Sequence, residues 1–119
     1  MLRHFGDNAR ELLKSYRFSE NVSVYAWALV TSLKETGRRF IDENDVYHTI
    51  AERLLDSGNC PKPLKEQIRE SGVLRCVVDS LLIEQDLRGP VVKYSLTGGG
   101  IALAQRLLNI KDEDRYVVE

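Results

Sequence analysis

The run Tyr94-Ser95-Leu96-Thr97-Gly98-Gly99-Gly100, followed by the small and apolar stretch Ile101 to Leu108, constrains the fold more than any other part of the chain. A β-prone segment passes straight into a helical one, with Thr97 at the junction. A threonine there can cap the helix, because its hydroxyl accepts a backbone N–H that the first turn leaves unpaired. Strand, cap and closing helix are thus specified together.

The elements ahead of this junction follow from periodicity. Residues 7–17 read as a short helix with Ala9, Leu12, Leu13 and Tyr16 on its apolar side and Asp7 as its cap. Ser19-Glu20-Asn21 breaks the pattern. Val22 to Leu33 is apolar almost all round, as a helix buried on more than one face must be, and Gly37 is placed to end it. Trp27 lies in the middle of this helix and is expected in the core. Arg39-Phe40-Ile41 reads as a very short strand. Asp42 or Asn44 then starts a helix bearing Val46, Ile50, Ala51, Leu54 and Leu55, ended by Gly58. Asn59 to Pro63 reads as a turn, because proline fixes φ and disfavours helix before it. A short helix covers Pro63 to Glu70, and Ser71-Gly72 interrupts. Val73 to Leu82 places Leu74, Val77, Val78, Leu81 and Leu82 at helical spacing, with Arg75 and Asp79 outward. Two extended runs, Leu82–Leu87 and Val91–Leu96, meet around Arg88-Gly89-Pro90 as a hairpin.

Helices that precede a terminal hairpin, closed by one more helix, make a mainly α chain with a small β-hairpin: the winged helix-turn-helix arrangement. The expected division is an N-terminal helical extension (1–21), a winged-helix domain (22–110) and a charged C-terminal tail (111–119). In this arrangement the helix before the hairpin is the recognition helix and the hairpin is the wing.

The Y-x-L-T-x-x-G pattern resembles the wing-to-helix junction of two groups of winged-helix proteins. One is the small dimeric regulators of the MarR and PadR type. The closer resemblance is to the winged-helix domain beside the nuclease of MUS-type, XPF-family junction endonucleases. It is carried by Ser80-Leu81-Leu82, Tyr94-Ser95-Leu96-Thr97, Gly100 and Leu103-Ala104-Gln105-Arg106-Leu107, with a long segment at 56–72 between the second and recognition helices. The similarity spans residues 22–109, and its specific part is short. Gly98-Gly99 departs from the family, where proline or an acidic residue is usual. Two glycines in a first turn cost helix stability, on the order of 1 kcal/mol each relative to alanine. The resemblance implies a DNA-binding module beside a catalytic domain.

Charge bears on that expectation. The 119-residue chain has a net charge of −1, yet residues 62–106 sum to +2 and residues 107–119 to −2. Nucleic-acid binding needs a local basic patch rather than a basic protein. The candidate DNA contacts are Lys62, Lys65 and Arg69 ahead of the recognition helix, Arg75 on its outward face, Arg88 at the wing tip and Lys93 at its base. Phosphate contacts would position the protein, and Arg75 is the candidate for a base edge. Each has a plain alternative as a solvated charge, and Arg75 could pair with Asp79 four residues on.

No catalytic constellation is found. Junction-resolving nucleases use carboxylates with a lysine, often as acid-x-Lys, to hold metal and steady the attacking water. All six lysines lack an acidic residue two positions earlier, and the endonuclease E-R-K motif is absent. His4 and His48 are the only histidines, and His48 with Cys60 and Cys76 lacks zinc-ligand spacing. Both thiols are expected as small buried groups. Gly98-Gly99-Gly100 matches no nucleotide loop, though a phosphate could meet free N–H groups at that helix start. No metal or cofactor is implied. With two cysteines, no long apolar run and no signal-peptide core in Met1–Gly6, an intracellular setting away from membranes is expected: nuclear in a eukaryote, cytoplasmic in a prokaryote.

The expectation is a non-catalytic winged-helix module for duplex or branched DNA, an accessory domain of a structure-specific nuclease or repair complex. The alternatives are a homodimeric transcription regulator, with helix 7–17 and the closing helix as its interface, and a winged helix that binds a larger protein partner.

Overall fold

A computed structural model describes residues 3–4, 6–55, 61–110 and 117–118. In chain order the elements are β1 (Arg3–His4), α1 (Asp7–Leu13), α2 (Glu20–Thr36), β2 (Ile41–Asp42), α3 (Glu43–Leu55), α4 (Lys62–Glu70), α5 (Val73–Asp79), β3 (Ile83–Asp86), β4 (Lys93–Leu96), α6 (Gly98–Leu108) and β5 (Val117–Val118). The described chain is mainly helical, with a three-stranded antiparallel sheet and a small two-stranded pairing. Among the described residues no helix is long and apolar enough to cross a membrane.

The core is assembled around α2. Residues Ala26 to Leu33 are all buried, Trp27 fully so. The one threonine in that run is satisfied within the helix, its hydroxyl donating to the Trp27 carbonyl at 2.7 Å. That keeps a polar group inside at little cost. The expected break at Ser19-Glu20-Asn21 is instead a cap and a first turn. Ser19 accepts the Val22 N–H at 3.3 Å, and Glu20 and Asn21 are already helical. Gly37 ends the helix at φ +68°, as its position predicts.

Helix α1 is shorter than its pattern suggested. It passes into a 3₁₀ turn at Lys14–Tyr16 and stops at Arg17, where φ is +59°. Asp7 is not its cap. Gly6 occupies that position, and the Asp7 carboxylate sits in the first turn, where the helix dipole favours it. Ala9 and Leu13 belong to the same core cluster as α2, with Leu12 and Tyr16 half-buried against it, so most of the apolar side of α1 is covered within the chain. Residues Arg3 and His4 pair antiparallel with Val118 and Val117.

In the three-stranded sheet the order is β2-β4-β3. Ile41 and Asp42 face Tyr94 and Lys93, and Ile83 to Asp86 face Leu96 back to Lys93. The strand expected at Arg39–Ile41 lies at Ile41–Asp42 because Asp42 has two tasks. Its backbone ends the strand, and its carboxylate accepts the Asp45 N–H at 2.9 Å to cap α3. Pro61 stands at the N-cap of α4 and Pro63 in its first turn, so residues 61–63 of the expected turn form a helix start, which proline tolerates. Gly58, Asn59, Cys60 and Lys111–Arg115, singled out from sequence, lie outside the described residues.

The largest correction concerns α5. Its apolar stripe was expected to run to Leu82, but the helix ends at Asp79 and Leu81 is 73% exposed. The reason is a Schellman stop. The Leu81 N–H bonds the Val78 carbonyl at 3.1 Å, and the Leu82 N–H reaches the Val77 carbonyl at 3.0 Å. Leu81 then takes φ +61°, a left-handed position usually given to glycine. This turn sends Leu82 into the core and its side-chain neighbour out to solvent.

Candidate nucleic-acid interface

Leu64 and Ile68 bury one side of α4 against the body. Lys62, Lys65 and Arg69, three and four residues apart, consequently fall together on another side. They line a cleft of about 620 Å³ between α4 and α3, whose opposite wall carries Asn44, Asp45, Tyr47 and His48. Among the described residues Lys62 and Lys65 have no carboxylate partner. Arg69 lies over the Tyr47 ring at 5.4 Å and keeps Glu66 at 3.5 Å. A guanidinium on an aromatic face is a held, oriented donor.

Tyr47 was not among the residues singled out from sequence. It sits one residue past Val46, outside the simplest apolar stripe, yet it is buried. Its hydroxyl donates to Glu43 at 3.1 Å. Burial, reinforced by the Glu43 carboxylate, pushes the phenol up to about 12, while the Arg69 charge pulls the other way. The local acids near this wall are engaged: Asp45 holds Arg38 at 3.1 Å, and Glu52 lies 3.2 Å from His48.

The remaining sequence candidates are placed differently. Arg75 is 88% exposed on α5 with its Nε 3.7 Å from Asp79, the paired alternative anticipated from their spacing. Arg88 folds back on the hairpin. Its Nε and Nη2 each donate to Asp86 at 3.0 Å, and its backbone N–H does the same. These bonds hold the Asp86 carboxyl down at about 2. Lys93 is exposed on the middle strand, with Asp42 and Asp86 as its register neighbours on either side. The fold therefore gathers the three α4 cations, Arg69 with Glu66 beside it, and leaves Arg75, Arg88 and Lys93 apart from one another, each beside an acid. Hairpin and α4 do converge: Val91 of the hairpin loop and Arg69 share a depression with Asp42, Glu43 and Asn44.

Among the described residues no group of three or more His, Cys, Asp or Glu side chains could hold a metal. Cys76 is half-buried rather than buried. At the α6 start the Gly100 N–H is taken by the Thr97 hydroxyl at 3.0 Å.

Set against known proteins, the chain matches no family model, no curated protein and no solved structure.

Proposed function

We propose that this chain is a non-catalytic winged-helix module that binds duplex or branched DNA, and that it does so mainly by gripping phosphates with α4. The observation that carries this reading is the stripe of Lys62, Lys65 and Arg69 on one cleft wall. Two of its three cations, Lys62 and Lys65, have no ion pair among the described residues, and the third, Arg69, is held over the Tyr47 ring. Support for the fold reading comes from the element order and from β2 adding to the β3–β4 hairpin beside α5. Phosphate contacts of this kind position a protein on DNA without reading bases. Because the gathered cations meet phosphates and not base edges, the module selects by DNA shape more than by sequence. The mostly covered apolar side of α1 favours this reading over a dimeric regulator built on that helix.

A mobility-shift comparison of duplex, flap and four-way-junction DNA tests it. Binding must fall steeply with salt, because each neutralised phosphate releases counterions. Salt-independent binding, or none at low salt, overturns it.

A further inference from the structure

A second cleft lies at the other end of β4. Strand β2 pairs with β4 only at Ile41 and Asp42, opposite Tyr94 and Lys93. Beyond that point residues 37–40 and the Ser95–Leu96 end of β4 bound a cleft of about 480 Å³. Leu33, buried, is at its floor, and Phe40 and Ile101, 57% and 44% exposed, stand at its sides. Large apolar side chains left in water at the mouth of a cleft mark a surface that something covers.

The charge of the cleft says what kind of partner fits. Its lining holds Lys34, Arg38 and Arg39 and not one carboxylate. Arg38 is met by Asp45. Glu35, next to Lys34 in sequence, is turned to Arg53, which donates to it at 2.7 and 3.3 Å. Lys34 and Arg39 have no ion pair among the described residues. In a chain of net charge −1 this is a local positive field over an apolar floor.

We infer that the cleft docks an acidic, extended segment of a partner protein, with its carboxylates on Lys34 and Arg39 and one apolar side chain set between Phe40 and Ile101. A nucleic-acid strand is the poorer occupant, because a run of phosphates offers no aliphatic side chain to cover Phe40 and Ile101. The cleft and the α4 stripe flank opposite ends of β4, so both can be occupied at once. This inference does not rest on the DNA-binding reading.

The test is an amide chemical-shift titration of the full chain with a synthetic peptide carrying Leu-Trp between short runs of Asp and Glu. Perturbations are expected at residues 33–40 and 95–101. Lys34→Glu with Arg39→Glu weakens the peptide about tenfold, and Phe40→Ser about fivefold, as expected for losing rim charges and one apolar anchor. Lys34→Gln with Arg39→Gln gives a smaller loss in the same direction. Lys62→Gln with Lys65→Gln leaves peptide binding unchanged. Equal binding of a peptide with Lys in place of its acids overturns the inference. So do perturbations confined to other surfaces, affinity indifferent to the Lys34 and Arg39 variants, or displacement of the peptide by a single-stranded oligonucleotide at the same amides.

Discussion

Gly100 and Leu82 are packed backbone to backbone: a Cβ added to Gly100 would lie 2.0 Å from the Leu82 carbonyl oxygen. That same oxygen accepts the Thr97 N–H at 3.1 Å, and the Thr97 hydroxyl bridges the Leu81 carbonyl and the Gly100 N–H. The end of α5 is thereby fastened to the start of α6. Gly100→Ala must push a backbone carbonyl aside and should cost about 3 kcal/mol, the upper range for overpacking. Gly98 is different, with nothing within 4 Å of its added Cβ. Gly98→Ala should therefore stabilise by about 0.5–1 kcal/mol, through a less flexible unfolded chain and better helix propensity. Urea unfolding of the two variants separates the required glycine from the dispensable one.

Leu81 carries the strain of the same junction. Its left-handed backbone costs a non-glycine residue about 1–2 kcal/mol, and its exposed side chain recovers little of that. Leu81→Gly should raise stability by about 1 kcal/mol, since glycine suits the C′ position of a Schellman stop but adds freedom to the unfolded chain. A lower urea midpoint in this variant would mean that the Leu81 side chain holds the native state through contacts its exposure does not suggest.

The parts of the fold legible in sequence were those where one local signal and the tertiary demand agree. The all-round apolar face of α2 could only be central, and Thr97 caps α6 where its position predicts. The misread places are those where two elements share a residue. Asp42 serves a strand and a cap, and Leu81 continues a helical spacing while its backbone has already left the helix. Periodicity counts side chains, and it has no term for a Schellman turn built on leucine. Gly100, by contrast, was visible as part of a motif, but the reason for it lies in a carbonyl eighteen residues away in sequence.

The phenol of Tyr47 should report on the α4 cleft. Its protonation midpoint is raised above the ordinary value, so the neutral form is the one the fold favours. That contribution is whole below the ordinary phenol value of about 10 and is lost as pH rises through about 12. An ultraviolet titration of tyrosinate should show a component near 12 that disappears in Tyr47→Phe. Arg69→Gln should move that component higher still, because the guanidinium over the ring favours the anion.

At the hairpin the sign is opposite. Asp86 is held down by the Arg88 side chain and backbone N–H, so its contribution is present above the ordinary carboxylate range and lost as pH falls toward about 2. Following the Asp86 carboxyl carbon by NMR should give a midpoint near 2. In Arg88→Ala that midpoint should return toward the ordinary value, with the loop residues 87–92 gaining amplitude of motion and the rest of the fold unmoved.

The site was legible as a set of charges and not as an arrangement. Six cations stood out in sequence, but only spacing along α4 fixes three of them on one wall. The acids beside Arg75 and Arg88, Asp79 and Asp86, are set by local backbone geometry. Tyr47 offered no signal beyond its neighbour Val46, since a tyrosine one step off an apolar stripe is ordinary. The cluster at Lys34, Arg38, Arg39 and Phe40 was not read from sequence, where Arg39 and Phe40 counted only as part of a short strand, because its cleft forms only where β2 parts from β4.

These placements separate two ways of binding DNA. If α4 grips phosphates, Lys62→Gln and Lys65→Gln should each weaken binding to every sequence alike and reduce the slope of log affinity against log salt by about 1. Arg75→Ala should then change affinity less than either, because its charge is already shared with Asp79. Asp79→Asn should strengthen binding modestly and steepen the salt slope, by removing an anion and releasing a guanidinium. If α5 instead reads base edges, Arg75→Ala should alter the preference between duplex sequences while leaving the slope almost untouched. Fluorescence anisotropy across a salt series, on two duplexes of different sequence and one junction, measures both quantities in the same experiment. A slope unchanged in both lysine variants would remove Lys62 and Lys65, and with them the α4 grip proposed above, from the interface.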